Sequence, residues 1–384
     1  MFLVKLISAI AYIGLGLPDA MLGIAWPSMR RDFDVSFDAL GWILASTFSG
    51  YLISSSMASR LAKRLGIGWL LIGSCATMTF VVAGLAWSPY FYLTVAIGFV
   101  GGVGGGAIDA SLNSFTAHRF SIRMVNWLHG CWGIGACIGP LLMTWVIVSG
   151  FSWRWGYAIV AFLLANTTLL IWWTRREWKE SDDEAIENQP QHASFLTAFL
   201  DKQVLGQCFL FFVYTGMEST VGQLLFTLWT EGRGVSASVA GGAVTGYWIA
   251  FTLSRFIMGQ LTTVWSSKQI LTASGVISPI LAAGIAFPPF AFADQIAAVL
   301  LGAWIAPMFP TWIGLTPATV RSDRAAQAIG FQVSSAAIGI VVLPGLISSI
   351  AVAFGLEAIP IALFILACAF TMTQSVLLAR SSLQ

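Results

Sequence analysis

The sequence predicts an all-α membrane protein whose twelve transmembrane helices form two parallel six-helix repeats. Three observations carry that prediction. Of the 384 residues, 57% are hydrophobic and only 9% are charged, with 17 Trp and a mean hydropathy of +0.82. Soluble domains carry roughly 25% charged residues, so this chain cannot clothe a globular surface with water-binding groups. Apolar runs of about 20 residues, the length of a bilayer-spanning helix, recur from end to end. Motifs of the first half also return in the second at an offset of about 200 residues.

Breaking the apolar runs at charges and at Gly/Pro clusters places the helices in order. The first six fall near 4–29, 39–61, 69–87, 91–117, 125–149 and 153–174; the second six near 203–229, 238–264, 269–291, 294–317, 325–354 and 358–379. The stretch from Met1 to Leu17 has the apolar character of a signal peptide. It continues apolar through Trp26 without a small-residue cleavage site, and so reads as the first span. Between helices six and seven, Arg175 to Lys202 is the only extended polar segment, holding Glu177, Glu180, Asp182, Asp183, Glu184 and Glu187. It divides a bundle at 1–174 from a bundle at 203–384, with 175–202 as a cytoplasmic linker.

Orientation follows from the retention of Lys and Arg in cytoplasmic loops. With the N-terminus inside, the inner loops hold 14 of the 19 basic residues, among them Lys5, Arg60, Lys63, Arg64, Arg321, Arg324 and Arg380. The outer loops hold Arg30, Arg31, Arg154 and Arg233, and Arg255 falls inside a span. Both termini are therefore expected in the cytoplasm, in a multi-pass protein of the inner (plasma) membrane. Trp42, Trp69, Trp87, Trp153, Trp172 and Trp173 lie near helix ends, where aromatic belts sit.

Composition excludes several function classes. No soluble domain of about 100 residues fits between the spans, which removes a receptor with a large ectodomain. A net charge of +2, scattered along the chain, gives no nucleic-acid footprint. Cys75, Cys131, Cys137, Cys208 and Cys368 lie in apolar segments without C-x-x-C spacing, so neither a disulfide framework nor a zinc site is expected. No Walker motif, ion-selectivity filter or nucleophile–base pair is present, so an ATP-driven pump, a channel and an enzyme are not expected. Gly102-Val103-Gly104-Gly105-Gly106-Ala107 fits a dinucleotide-binding pattern, but it lies inside a membrane helix with no strand before it, and reads as close helix packing. The sequon at Asn166 lies inside helix six.

The internal matches are Gly135-x4-Pro140 with Gly339-x4-Pro344, Ser59-x-Leu61 with Gly259-x-Leu261, and Asp19-x3-Gly23 with Glu218-x3-Gly222. With six helices per half and a polar linker, the chain resembles the major facilitator superfamily. Ser59-Arg60-Leu61-Ala62-Lys63-Arg64-Leu65-Gly66 is similar to the superfamily's helix 2–3 loop motif, G-x-L-A-D-R-x-G-R-K, with Lys63 where the family has its acid and Ile67-Gly68 where it has its basic pair. Arg60 and Arg64 are then gate residues. Gly16-x2-Asp19-x3-Gly23-x2-Trp26-Pro27, Asp109-Ala-Ser-Leu-Asn113, Leu128-His129-Gly130 and Tyr214-x-Gly216-x-Glu218 are similar to the fucose–proton symporter branch and its sodium–glucose relatives. That resemblance covers nearly the whole chain. It implies sugar uptake coupled to an ion through acids on helices one and four, which correspond to Asp19 and Asp109. Gly135-x3-Gly139-Pro140 also resembles the helix-five pattern of drug antiporters.

Residue chemistry gives the same candidates. A charge at bilayer depth costs several kcal/mol unless paired or hydrated, so intramembrane acids mark pathways. Asp19 falls near the middle of helix one beside Pro18, which kinks the helix and frees carbonyls for an ion or a hydroxyl. On a continuous helix Asp19, Gly23 and Trp26 share a face, turning the acid across a glycine gap towards an aromatic ring. Asp109 and Asn113 share a face of helix four, with Asp109 the expected proton carrier; Arg255, at similar depth, is either its gate partner or a base that snorkels to the interface. Glu218, with Tyr214 and Gln223, forms a hydroxyl-binding set. His129, near Asn126, is placed to relay protons at neutral pH or to satisfy a packing contact. Trp132 and Trp248 supply rings to stack on a solute, or to pack. The expected function is a secondary active transporter importing a sugar or small polyol by rocking of its halves, with a proton-coupled exporter of amphipathic drugs or metabolites as the alternative. Its expected partners are a small solute and the lipid bilayer, as a monomer without nucleic acid, and it needs no cofactor beyond a proton or sodium gradient.

Overall fold

The computed structural model describes the chain apart from residues 1, 121, 179–200, 262–263, 321–323 and 382–384, so most of the acidic linker lies outside the described residues. Fourteen α-helices account for nearly all the rest. They are α1 (Phe2–Asp19), α2 (Leu22–Asp32), α3 (Leu40–Leu65), α4 (Ile67–Trp87), α5 (Phe91–Arg119), α6 (Ile122–Val148) and α7 (Trp153–Trp173), then α8 (Lys202–Thr227), α9 (Ala237–Leu261), α10 (Ser267–Ala286), α11 (Ala293–Ile305), α12 (Met308–Thr319), α13 (Ala325–Phe354) and α14 (Ala358–Ser381).

Among the described residues, nine helical segments are long and apolar enough to cross a membrane, and a tenth if the bent pair α1–α2 is one span. α3 and α9 have a span's length, 26 and 25 residues, but Ser, Thr and Gly dilute their apolar content. The protein is a multi-pass membrane protein. Its outward surface agrees, since Phe80, Trp87, Tyr92, Phe162 and Phe354 are each more than two-thirds exposed. A soluble chain would bury such side chains, whereas hydrocarbon solvates them.

Two of the helices read from the sequence are each broken in two. The first breaks after Pro18, and its segments meet at 43°. Pro18 has no N–H to give the preceding turn, and its own carbonyl accepts from the Met21 N–H at 3.3 Å. The tenth breaks at Ala306-Pro307, between α11 and α12.

The described residues fall into two compact units, Met1–Asp183 with Val235–Thr245, and Glu184–Gly234 with Gly246–Gln384. In the first, α1 packs on α6, α3 on α5, and α4 on α5 and α7. In the second, α8 packs on α13 and α14, and α10 on α11 and α14. Glycine sets the closest approaches: a Cβ at Gly135 would overlap the Ile13 carbonyl oxygen, one at Gly16 the Trp132 carbonyl, and one at Gly102 the Thr47 carbonyl. Backbones meet there because nothing stands between them. This is the packing role expected for the glycine run at Gly102–Gly106.

Each unit carries an ion-paired tie at loops that the charge count places outside. In the first, the Arg154 Nη2 is 3.8 Å from Asp32 Oδ2 and its Nη1 donates to the Ser88 carbonyl at 3.1 Å, while Trp153 Nε1 donates to Asp32 at 2.8 Å. In the second, Arg233 forks onto Glu357 at 2.7 and 2.9 Å, meets Asp294 at 2.6 Å and donates to the Ile285 carbonyl at 3.0 Å. Trp229 Nε1 donates to the same Asp294 oxygen at 2.8 Å. Arg233 holds the Glu357 carboxyl below its ordinary range by direct hydrogen bonding. Asp294, near the start of α11, is only 4% exposed because these two donors enclose it.

Candidate functional site

In the first unit the break after Asp19 puts its carboxylate at the end of α1, with Trp132 Nε1 of α6 donating to it at 3.4 Å. Asp109 lies on α5, which α3 approaches closely through the glycines of both helices. That approach brings Tyr51 of α3 to within 2.6 Å of Asp109 Oδ2. The other carboxylate oxygen accepts from Asn113 Nδ2 at 3.0 Å, a contact fixed by their spacing of four residues on one helix. The Asn113 side-chain Oδ1 in turn accepts a hydrogen bond from the hydroxyl of Tyr12 on α1. Four side chains from three helices thus form one relay, Tyr12–Asn113–Asp109–Tyr51. Asp19 and Asp109 are also near enough to repel one another when both are charged.

In the second unit Glu218 is half-buried on α8, one turn after Tyr214. Arg255 of α9 faces both: the three groups interact electrostatically. Tyr214, only 2% exposed, interacts with both Glu218 and Arg255. Arg255 spends its Nε on the Ala306 carbonyl at 3.4 Å, beside the α11–α12 break, and lies 4.4 Å above the Phe251 ring. Tyr247, Trp248 and Phe251 stack edge-on or tilted at 5.2 to 6.0 Å, and the Tyr247 hydroxyl donates to the Glu218 backbone carbonyl at 3.3 Å. Gly222 leaves room for Trp248, whose Cζ2 a Cβ there would meet at 2.9 Å.

Several expected site residues therefore meet: Asp19 with Trp132, Asp109 with Asn113, and Glu218 with Tyr214 and Arg255. Others do not. Trp26 is fully buried, donates its Nε1 to the Phe37 carbonyl at 3.0 Å and packs on Phe91, so it is a packing residue. The shared face with Asp19 assumed one continuous helix, and the break at Ala20-Met21 removes it. Arg60 and Arg64 are exposed in the last two turns of α3, and Gln223 is buried on α8. The His129 side chain lies outside the described residues. Tyr12, Tyr51 and Tyr247 went unread because only packing brings them to the acids. Among the described residues no group of three or more His, Cys, Asp and Glu is arranged to hold a metal.

Carboxylates, hydroxyls and an amide facing one another inside an apolar bundle can exchange protons and bind solute hydroxyls. The comparisons with known proteins bear on family and fold. The profile of the Major Facilitator Superfamily matches residues 8–231. Bypass of stop codon protein 6 of Saccharomyces cerevisiae is 22% identical over 400 residues, covering 94% of this chain and 80% of that one. The sodium-dependent glucose transporter 1A of Mus musculus is 21% identical over 378 residues, covering 88% and 87%. The structure of a D-xylose-proton symporter superposes with a TM-score of 0.77 at 13% identity, covering 97% of both chains. FucP in its outward conformation gives 0.62 at 18%, covering 96% and 98%. These two structures show the same fold.

Proposed function

Because the chain belongs to the major facilitator superfamily, we propose that it is a secondary active transporter that imports a sugar or similar small polar solute with protons by alternating access. The chain is a membrane transporter and not an enzyme; the solute and the coupling ion are the proposal. The observation that carries it is Asp109, a carboxylate within the helix bundle whose two oxygens accept from Tyr51 and Asn113. A carboxylate held by neutral donors is free to take a proton without breaking an ion pair, which is what an acid that loads from one side and unloads to the other requires. In this reading Asp109 carries the proton, Asp19 and Trp132 lie on its path with His129 as a relay, and Glu218, Tyr214, Asn113, Gln223 and Trp248 receive the solute, with Arg255, Arg60 and Arg64 as gate residues.

The same proposal takes α1–α2, α3, α9 and the nine apolar segments as twelve spans in two parallel repeats, with both termini in the cytoplasm of a plasma-membrane monomer. Equivalent glycines support the repeat: a Cβ at Gly135 would overlap the Ile13 carbonyl, and one at Gly339 the Phe212 carbonyl.

A second reading, proton-coupled efflux of amphipathic compounds, draws on the Tyr247–Trp248–Phe251 aromatic cluster beside Glu218. Uptake of a panel of radiolabelled sugars and small polar solutes into proteoliposomes, acid outside, tests the first reading. Accumulation of one of them that a protonophore abolishes is expected. Accumulation driven by sodium instead reassigns the ion, and transport of lipophilic cations alone establishes the second reading.

A further inference from the structure

At the end of the first unit that the charge count places in the cytoplasm, cations gather without acids. The last turns of α3 carry Arg60, Lys63 and Arg64, all exposed, and Lys63 stands where the family motif has its acid. Gly66, at a φ of +78°, turns the chain straight into α4. The one-turn helix Arg175–Glu177 after α7 lies against that turn: a Cβ on Gly68 would come within 2.9 Å of the Arg175 carbonyl oxygen and 3.4 Å of Trp178 Cβ. Trp178 fixes it there, buried against the Phe115 ring of α5 at 5.0 Å with its Nε1 donating to Thr174 Oγ1 at 3.0 Å. Arg64 is four residues of chain from Gly68, at most about 14 Å, so the end of α3 and the Arg175-Arg176 pair flank one turn. Among the described residues none of Lys63, Arg64, Arg175 and Arg176 is paired with an acid, and α3, α4 and α7 contain no Asp or Glu. Exposed indoles lie at the same level, Trp69 in the first turn of α4 and Trp172 and Trp173 in the last turn of α7. Trp at helix ends marks the headgroup level of a bilayer. Arg175 lies 5.3 Å from the Trp172 ring and donates to the Trp172 carbonyl at 3.3 Å, which holds its guanidinium beside that indole.

We propose that this patch binds the headgroup of an anionic phospholipid, its phosphate between Lys63 and Arg64 on one side and Arg175 and Arg176 on the other, with its acyl chains along the outward faces of α4 and α7. The inference goes beyond the transport reading and needs only a membrane-spanning bundle. Like charges gathered at one turn repel one another, and an anion from outside relieves that repulsion. Guanidinium forks meet phosphate oxygens two bonds to two, and basic clusters beside the inner ends of spans bind anionic headgroups for this reason. The indoles decide for a lipid over a soluble phosphate, because they put the cations where the bilayer itself presents its phosphates. The outward face of α4 has room for a chain: Trp69, Gly73 and Phe80 are exposed along it, and nothing lies within 4 Å of where a Cβ on Gly73 would stand.

The test is native mass spectrometry of the full-length protein, released from detergent after mixing with palmitoyl-oleoyl phosphatidylglycerol or palmitoyl-oleoyl phosphatidylcholine. One phosphatidylglycerol molecule is expected to be retained at least about 30-fold more tightly than phosphatidylcholine. Arg175→Gln combined with Arg176→Gln is expected to weaken phosphatidylglycerol binding about 10- to 30-fold and leave phosphatidylcholine as it was, the loss that two cations near a membrane surface imply. Lys202→Gln combined with Lys268→Gln removes the same charge from exposed bases of the second unit and is expected to change neither. If the double variant at Arg175 and Arg176 does not fold, Lys63→Gln replaces it, with an expected loss of about 5-fold. Equal retention of the two lipids, or an equal loss in the two double variants, overturns the proposal. Displacement of the lipid by glycerol phosphate also overturns it and gives the patch to soluble phosphates. Phosphatidylglycerol binding that appears only when Glu180, Asp182, Asp183, Glu184 and Glu187 are all replaced by Gln overturns it in favour of the acidic linker as occupant. Solute uptake is read separately, so each of these outcomes leaves the transport reading standing.

Discussion

The Tyr51 hydroxyl donates to one oxygen of Asp109 at 2.6 Å, leaving the other oxygen to Asn113 at 3.0 Å. The acid is thus oriented by neutral donors on two helices. Asp109→Asn keeps an oxygen to accept and nearly the same shape but cannot carry a proton. It is expected to abolish accumulation against a gradient while preserving exchange of solute between equal pools, both read in proteoliposomes with a radiolabelled substrate. Accumulation equal to wild type would move the proton role to Asp19.

Gly135 and Gly73 make opposite predictions for the same substitution. A Cβ at Gly135 overlaps the backbone oxygen of Ile13, whereas at Gly73 nothing lies within 4 Å. Gly135→Ala must push α6 away from α1 and is expected to cost about 1–3 kcal/mol, the usual range for overpacking. Gly73→Ala is expected to leave the melting temperature unchanged or slightly raised, since Ala is the better helix former. Thermal denaturation in detergent, followed by a thiol-reactive dye, compares them.

The tie between Arg233 and Glu357 predicts a pH dependence. Because Arg233 holds the Glu357 carboxyl below its ordinary value of 4.5, the pair stabilises the fold above that value and is lost as pH falls through the lowered one. Glu357 is largely exposed, so its contribution is small, about 1 kcal/mol or less. Glu357→Gln is therefore expected to lower the melting temperature slightly at pH 7, by an amount that shrinks as the pH is taken below 4.5. Asp294→Asn, which removes a buried charge-assisted contact while Arg233 keeps Glu357, is expected to cost more, about 1.5–3 kcal/mol.

Topology is checked with single cysteines in a background lacking the five native ones. A cysteine at Arg64, exposed near the end of α3, is expected to react with a membrane-impermeant maleimide only from the cytoplasmic side, and one at Phe290, exposed between α10 and α11, only from outside. Labelling of both from one side would sink the twelve-span arrangement.

Much of this was legible in the sequence because a membrane makes it so. Charge is too costly inside the bilayer to be scattered, so Asp19, Asp109 and Glu218 stood out by depth alone. The kink at Pro18 was readable from the missing N–H. The same signal at Pro307 was passed over because the run from 294 to 317 is apolar on both sides of it. Trp26 was misplaced for a related reason: its register with Asp19 was counted across the break. Tyr12 and Tyr51 carry no mark of their own. They become part of the Asp109 site only through helix crossings set by glycines elsewhere, which linear spacing does not encode. Arg255 was read by depth, but its nearness to Glu218 and Tyr214 depends on how the Gly246–Leu261 part of α9 packs in the second unit.

The outer ties bear on how the chain sorts its helices as it enters the membrane. In the first unit the acid, Asp32, ends the opening pair of helices and the base, Arg154, begins α7; in the second the signs are exchanged, with Arg233 following α8 and Glu357 preceding α14. Were α2 to dock beside α14 during insertion, Asp32 would meet Glu357. Were α8 to dock beside α7, Arg233 would meet Arg154. The exchanged signs favour each half's own closing helix over the other's, by about 1 kcal/mol or less for each exposed pair.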